Sequence, residues 1–154
     1  MASSNEEFTT NEEDQRNAAA LQERLHDNAG RPTAAGDAFC TRLPSVEIAE
    51  GRHKYVLIKA HLNGEQQYVV TSKKFAAYHM NAAEPMVAKL EEAGYTDIDV
   101  VGGGRIILDS DNKKCEIFGF SYGFGKADHA KSRSVVLQDP RYRDFEVTIS
   151  DEGY

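Results

Sequence analysis

Lys54-Tyr55-Val56-Leu57-Ile58-Lys59-Ala60-His61-Leu62-Asn63-Gly64-Glu65-Gln66-Gln67-Tyr68-Val69-Val70-Thr71 is the stretch that decides the fold. Asn-Gly between two apolar, β-branched runs marks a two-residue hairpin turn, because both central residues must take positive φ. Two antiparallel strands are expected, Lys54 to Leu62 and Gln66 to Thr71. Along the first, alternate residues share a face, so Lys54 goes with Val56, Ile58 and Ala60, and Tyr55 with Leu57, Lys59 and His61. Lys54 then stands at the rim of an apolar layer. It is either a strand-end lysine whose stem covers apolar surface or the cation of an anion pocket.

Upstream lie a short strand at Val46-Glu47-Ile48 and a Glu50-Gly51 turn. Downstream, Ala76 to Glu92 has helical spacing, and Pro85 should sit near the start of that helix and not at its centre. Asn81 and Glu84 have N-cap and N3 spacing, so the helix is expected to begin just after His79 and to end at Gly94. Ile98 to Val101, the glycines, a strand Arg105 to Asp109, an Asp111-Asn112 turn and a strand Cys115 to Phe120 follow. A glycine-bearing loop at Ser121 to Gly125 leads into a helical pattern over Ala127 to Leu137. After Asp139-Pro140 comes a last strand, Phe145 to Ile149. The pattern is that of a compact α/β domain.

At 154 residues and 40% hydrophobic content the chain supports one core. A formal charge of -7 argues against a broad footprint for nucleic acid or an anionic membrane, so any anion site must be local. With no basic, apolar leader and no membrane-length run, a cytoplasmic monomer is expected. Cys40 and Cys115 are too few for a disulfide framework and are expected to be reduced and structural. Residues 1–45 read as an acidic, largely flexible extension before a domain over 46–154. Residues 1–36 carry Glu6, Glu7, Glu12, Glu13, Asp14, Glu23 and Asp27 against three arginines, with few large apolar side chains. Within it, Thr10 and Glu13 have capping-box spacing, and Ala18 to Leu25 forms a short helix with Leu21 and Leu25 as its stripe. That helix would be marginal alone. Gly30 to Gly36 reads as a linker.

Chemistry gathers around Gly102-Gly103-Gly104-Arg105. Glycines let a backbone approach a ligand closely, and the arginine offers a planar fork of donors that suits phosphate. Taken alone, the same run reads as a mobile bend between strands. His79, at the start of a helix, is either a capping histidine or part of the donor group that makes helix N-termini phosphate sites. Ser121 with the amides of Tyr122 and Gly123 is either an ordinary strand-to-helix connection or an anion nest. No Gly-Lys-Ser or Gly-Lys-Thr follows the glycines, which argues against ATP. His53 and His61 are too far apart along one strand to share a metal, and no carboxylates cluster for magnesium, so no metal and no cofactor are expected. Cys115 lacks the loop of a cysteine phosphatase.

Several motifs in order carry a resemblance: Lys54-Tyr55-Val56-Leu57-Ile58, Ala77-Tyr78-His79, Gly102 to Ile106, Phe118-Gly119-Phe120-Ser121 with Tyr122-Gly123-Phe124-Gly125, Asp128-His129-Ala130, and Phe145-Glu146-Val147-Thr148 to Gly153-Tyr154. Over roughly Val46 to Tyr154 the chain resembles the small phosphohistidine phosphatase family, also called janus/ocnus. The resemblance implies a single α+β domain, a mixed, mostly antiparallel sheet packed with two principal helices. It also implies a metal-independent enzyme that removes phosphate from phosphohistidine, and from phospholysine, in protein or peptide substrates. It places the catalytic histidine at His79 and phosphate or substrate contacts at Lys54, Arg105, Ser121, Tyr122 and Gly123. Tyr78, Gly102, Gly103, Gly104 and His129 support them. The amides of His79, Ser121 and Gly123, with the Ser121 hydroxyl, would cradle the phosphate oxygens. His79 would serve as general base or as nucleophile. A basic residue that the family carries eight positions before the histidine is Thr71 here, so Lys73 or Lys74 would have to supply its charge. The alternative is a non-catalytic phosphopeptide-binding or regulatory protein of the janus/ocnus type.

Overall fold

A computed structural model describes residues 15–25, 42–76 and 78–150. Six strands, β1 Val46–Glu47, β2 Gly51–Leu62, β3 Glu65–Ser72, β4 Thr96–Asp109, β5 Lys114–Phe118 and β6 Glu146–Ile149, form one sheet in the order β1-β3-β2-β4-β5-β6. The β2–β3, β2–β4 and β4–β5 pairs are antiparallel, and the outer pairs β1–β3 and β5–β6 are parallel. The mixed, mostly antiparallel sheet of one α+β domain is thus observed. Asn63 and Gly64 take φ of 53° and 82° in the β2–β3 hairpin, as an Asn-Gly turn requires.

Helices cover both faces. Helix α1 comprises residues 15–25, α2 spans His79–Glu92 and α3 spans His129–Gln138. Val56, Ile58, Ala60 and Val69 pack with Ala83, Met86, Val87 and Leu90 of α2. Tyr55, Leu57, Val70 and Ile106 pack on the other side with Val135 and Val136 of α3. The alternation read along β2 therefore divides the core. The short helix expected over Ala18 to Leu25 is present, with Ala18, Leu21 and Leu25 buried. Its Gln22 amide donates to the Val100 carbonyl at 2.7 Å, and Arg24 pairs with Glu91 at 3.0 Å. Packing on the α2 face supplies what so short a helix lacks alone. Thr10 and Glu13, the Gly30 to Gly36 linker, Cys40, Ala77 and the Gly153-Tyr154 ending lie outside the described residues.

Two boundaries differ from expectation. Helix α2 begins at His79 with Tyr78 as its N-cap, so Asn81 is the third helical residue and not the cap. The Asn81 side chain reaches back to accept from the Tyr78 amide at 3.0 Å, which is what an N3 side chain does in a capping box. This earlier start moves Pro85 to the interior of α2. The C-terminus is closed as expected: Gly94 has φ 92°, its amide donates to the Glu91 carbonyl, and Tyr95 donates to Leu90. The second difference is that the glycines form no loop. Gly102, Gly103 and Gly104 pair with Leu57, Val56 and Tyr55 inside a continuous β4.

Candidate functional site

Lys54 stands opposite Arg105 and Val56 opposite Gly103, so these four residues share the sheet face that α2 covers. A bulge makes this possible. Leu57 pairs with Gly102 but Ile58 with Val100, which leaves Val101 as the extra residue. Before it Ile98 and Val100 face α2, and after it Ile106 and Leu108 face α3. The bulge exchanges the faces of odd and even residues and brings Arg105 to the α2 side. Two cations directly across neighbouring strands repel each other.

His79, the first residue of α2, is fully buried against this row. A Cβ on Gly103 would lie 2.9 Å from His79 Cδ2, 2.9 Å from the Tyr55 carbonyl oxygen and 3.1 Å from Ser121 Cβ. Only glycine lets the imidazole and Ser121 both rest on the strand. His79 Nε2 lies 2.9 Å from the Gly104 carbonyl oxygen. Because a carbonyl only accepts, Nε2 carries a hydrogen, and the neutral form of the ring then has its lone pair on Nδ1.

The first turn of α2 contains no acidic side chain to compete with an incoming anion at the positive end of the helix dipole. Helix α3 differs, because its own Asp128 carboxylate occupies that end, accepting from the Lys131 amide at 3.1 Å.

The segment bearing Ser121 is a closed loop with Gly119 at φ 73° and Gly125 at φ 84°. The Ser121 amide donates to the Gly125 carbonyl at 3.1 Å, and the Phe124 amide donates to the Ser121 hydroxyl at 3.1 Å. The Ser121 amide expected in the phosphate cradle is therefore engaged within the loop, and its hydroxyl oxygen accepts from Phe124. The Gly103 amide donates to the Gly125 carbonyl at 3.0 Å, and the Ala127 amide to the Gly103 carbonyl at 3.1 Å. Lys126 is thereby bridged to Gly103. This exposed lysine at the site's rim went unnoticed in the sequence, since nothing local links residue 126 to residue 103. Tyr122 is exposed, its ring edge-to-face with Phe120 at 5.0 Å, and Gly123 is half-buried.

His129, another of the expected supporting residues, lies on the opposite face, whereas Tyr78 is the N-cap of α2. His129 Nε2 donates to the Gly119 carbonyl at 2.8 Å, which leaves Nδ1 to accept from the Tyr55 hydroxyl at 2.7 Å. The hydroxyls of Tyr55 and Ser132 are 3.1 Å apart. Burial pushes the Tyr55 phenol far above its ordinary pKa, so it stays a donor. His129 thus stands on the face away from His79; it ties Gly119, at the base of the Ser121 loop, to Tyr55 of β2. Tyr55→Phe should cost about 1–3 kcal/mol in urea unfolding, because it strands a buried imidazole nitrogen. An unchanged midpoint would show that the bond carries no weight. Cys115 is free and buried, its thiol pushed up to about 12 by burial, as suits a packing residue. Among the described residues no three His, Cys, Asp or Glu side chains are grouped to hold a metal ion, and no helix is long and apolar enough to cross a membrane.

The Janus/Ocnus family model matches residues 40–146. The chain belongs to the Janus/Ocnus family. A 14 kDa phosphohistidine phosphatase from Sus scrofa is 34% identical over 128 residues, covering 78% of this chain and 99% of that protein. The sex-regulated protein janus-B of Drosophila erecta is 32% identical over 111 residues, covering 71% of this chain and 79% of that one. That of Drosophila melanogaster is 32% identical over 109 residues, covering 70% and 77%. Lys54, His79, Arg105 and Ser121 all fall within the Janus/Ocnus match, whereas α1 lies outside it.

Proposed function

We propose that this Janus/Ocnus protein hydrolyses the phosphorus–nitrogen bond of phosphohistidine in proteins, and of phospholysine by the same chemistry, without a metal ion. The observation that carries the reading is the His79 imidazole, fixed in one tautomer by the Gly104 carbonyl and packed on Gly103 beside Ser121. The name of the Sus scrofa relative supports the substrate. Phosphoryl transfer asks the protein mainly to position a nucleophile and neutralise the oxygens. Lys54, Arg105, the N-terminus of α2, the Ser121 hydroxyl and the Gly123 amide supply that neutralisation.

His79 Nδ1 is the reacting atom. A water attacks phosphorus in line and Nδ1 takes its proton; the phosphorus–nitrogen bond breaks, the leaving nitrogen on the far side of phosphorus takes a proton from solvent, and the imidazolium returns its own proton to solvent. Phosphate and neutral substrate histidine result. Transfer of the phosphoryl group to Nδ1 before water arrives would use the same atom. Full burial of the ring means that a phosphoryl group reaches Nδ1 only when its cover gives way. Gly119 and Gly125, at the ends of the Ser121 loop, are where the backbone can yield.

The test is phosphate release from a phosphohistidine peptide in EDTA, with quenching in alkaline detergent to trap a phosphoenzyme, because a phosphoryl group on a histidine survives alkali and not acid. Metal-independent turnover is expected. No turnover with phosphopeptide binding retained would replace the enzyme with a phosphopeptide-binding module.

A further inference from the structure

We infer that Phe75 is a recognition residue that grips the polypeptide flanking the phosphohistidine of a substrate protein, an inference that rests on the phosphatase reading above. Three large hydrophobic side chains are exposed among the described residues. Two are on the segments that carry the site: Phe75, 98% exposed and shortly before His79, and Tyr122, 37% exposed and next to Ser121. A phenylalanine so exposed adds nothing to the core and invites association.

The backbone adds a second cost. Phe75 has φ 63°, in the left-handed region that bulky residues rarely occupy. Among the described residues the other non-glycine positions with positive φ are Asn63, Asp97 and Lys113, of which Asn63 serves the hairpin turn and Asn and Asp tolerate the region by type. A strained backbone that turns an aromatic ring outward points to function and not to folding.

The sheet fixes where this ring stands. Strand β3 ends at Ser72, which pairs with Tyr55, and Tyr55 pairs with Gly104. The chain from Lys73 onward therefore leaves the sheet at the level of the catalytic row and runs directly to Tyr78 and His79. Lys73 and Lys74 precede the ring. The Lys73 ammonium is 3.9 Å from a Glu47 carboxylate that Lys89 already holds at 2.8 Å. On a chain of charge -7 this is a local basic spot beside an aromatic. It fits a substrate segment with an apolar side chain next to the phosphohistidine and an acidic residue close by. Phe75 then acts on binding and not on the bond that breaks.

The test compares the intact protein with Phe75→Asn on two substrates: phosphoramidate, and a phosphohistidine peptide with leucine and glutamate flanking the modified residue. Asparagine accepts positive φ, so the unfolding temperature should not fall. With the peptide, KM should rise about tenfold at unchanged kcat, the loss expected for a truncated aromatic anchor. With phosphoramidate, kcat/KM should stay the same. Equal loss on both substrates, or none on either, overturns the inference. If the intact protein turns over neither substrate, the affinity for the same peptide carrying a non-hydrolysable phosphonate mimic decides. About tenfold weaker binding in Phe75→Asn upholds recognition while the phosphatase reading falls; equal affinity overturns both.

Discussion

His79→Ala should lower turnover of a phosphohistidine peptide by roughly 10²- to 10⁴-fold, the range for loss of a positioned acid–base group. The variant removes the Nδ1 lone pair and the ring that rests on Gly103. It also leaves the Gly104 carbonyl without its imidazole donor. Some stability will go with a fully buried side chain, so folding must be checked alongside activity. Chemical rescue separates the two effects: the space vacated over Gly103 has the shape of an imidazole, and free imidazole should restore part of the turnover while leaving the unfolding midpoint where it was. Lys54→Ala, which keeps the imidazole, should respond to no such addition. Turnover of His79→Ala within threefold of the intact protein would remove His79 from the chemistry.

What could be read from the chain divides along a physical line. The β2–β3 hairpin was legible because its signal is local: Asn63-Gly64 dictates the turn, and the alternation of Tyr55, Val56, Leu57 and Ile58 dictates which residues face α2 and which face α3. The order of elements along the chain and the α2 C-terminus at Gly94 were legible for similar reasons, and resemblance singled out Lys54 and Arg105, which stand opposite each other, and His79 and Ser121, which both approach Gly103. The glycine run was not. Read alone, three glycines suggest a bend, whereas here each is forced by something distant in sequence: Ala127 against Gly102, His79 and Ser121 against Gly103, Phe118 and His129 against Gly104. The bulge at Val101, which decides that Arg105 faces the site, is equally silent, since it exists only in the register between β2 and β4. Asn81 was mistaken for an N-cap because its spacing to Glu84 competes with a second use of the same side chain, reaching back to the Tyr78 amide.

That account of the glycines makes Gly104→Ala, with Gly102→Ala, among the most damaging small substitutions in the described residues. A Cβ on Gly104 would lie 2.4 Å from the Phe118 carbonyl oxygen, 3.0 Å from His129 Cε1 and 3.1 Å from Tyr55 Cε1. The first contact is backbone, in the partner strand beside the Arg105–Phe118 pair, so it cannot rotate away and the β4–β5 register must move. Overpacking costs typically 1–3 kcal/mol where side chains can adjust; with backbone on one side and a buried Tyr–His pair on the other, about 3 kcal/mol or more is expected. Gly64→Ala is the proper comparison. It has the same change in composition and a left-handed φ of 82°, yet nothing within 4 Å, so only the conformational cost of about 1–2 kcal/mol applies. Gly103→Ala should fall between the two in stability but lose most activity, because its Cβ meets the His79 ring and Ser121 and must push aside the groups proposed to act on phosphate. Urea unfolding of the three variants, with phosphate release measured on each, gives the ranking. If Gly104→Ala proves no less stable than Gly64→Ala, the close approach of β5 and His129 to the glycine strand is not what fixes the run, and its conservation of space around His79 would need another cause.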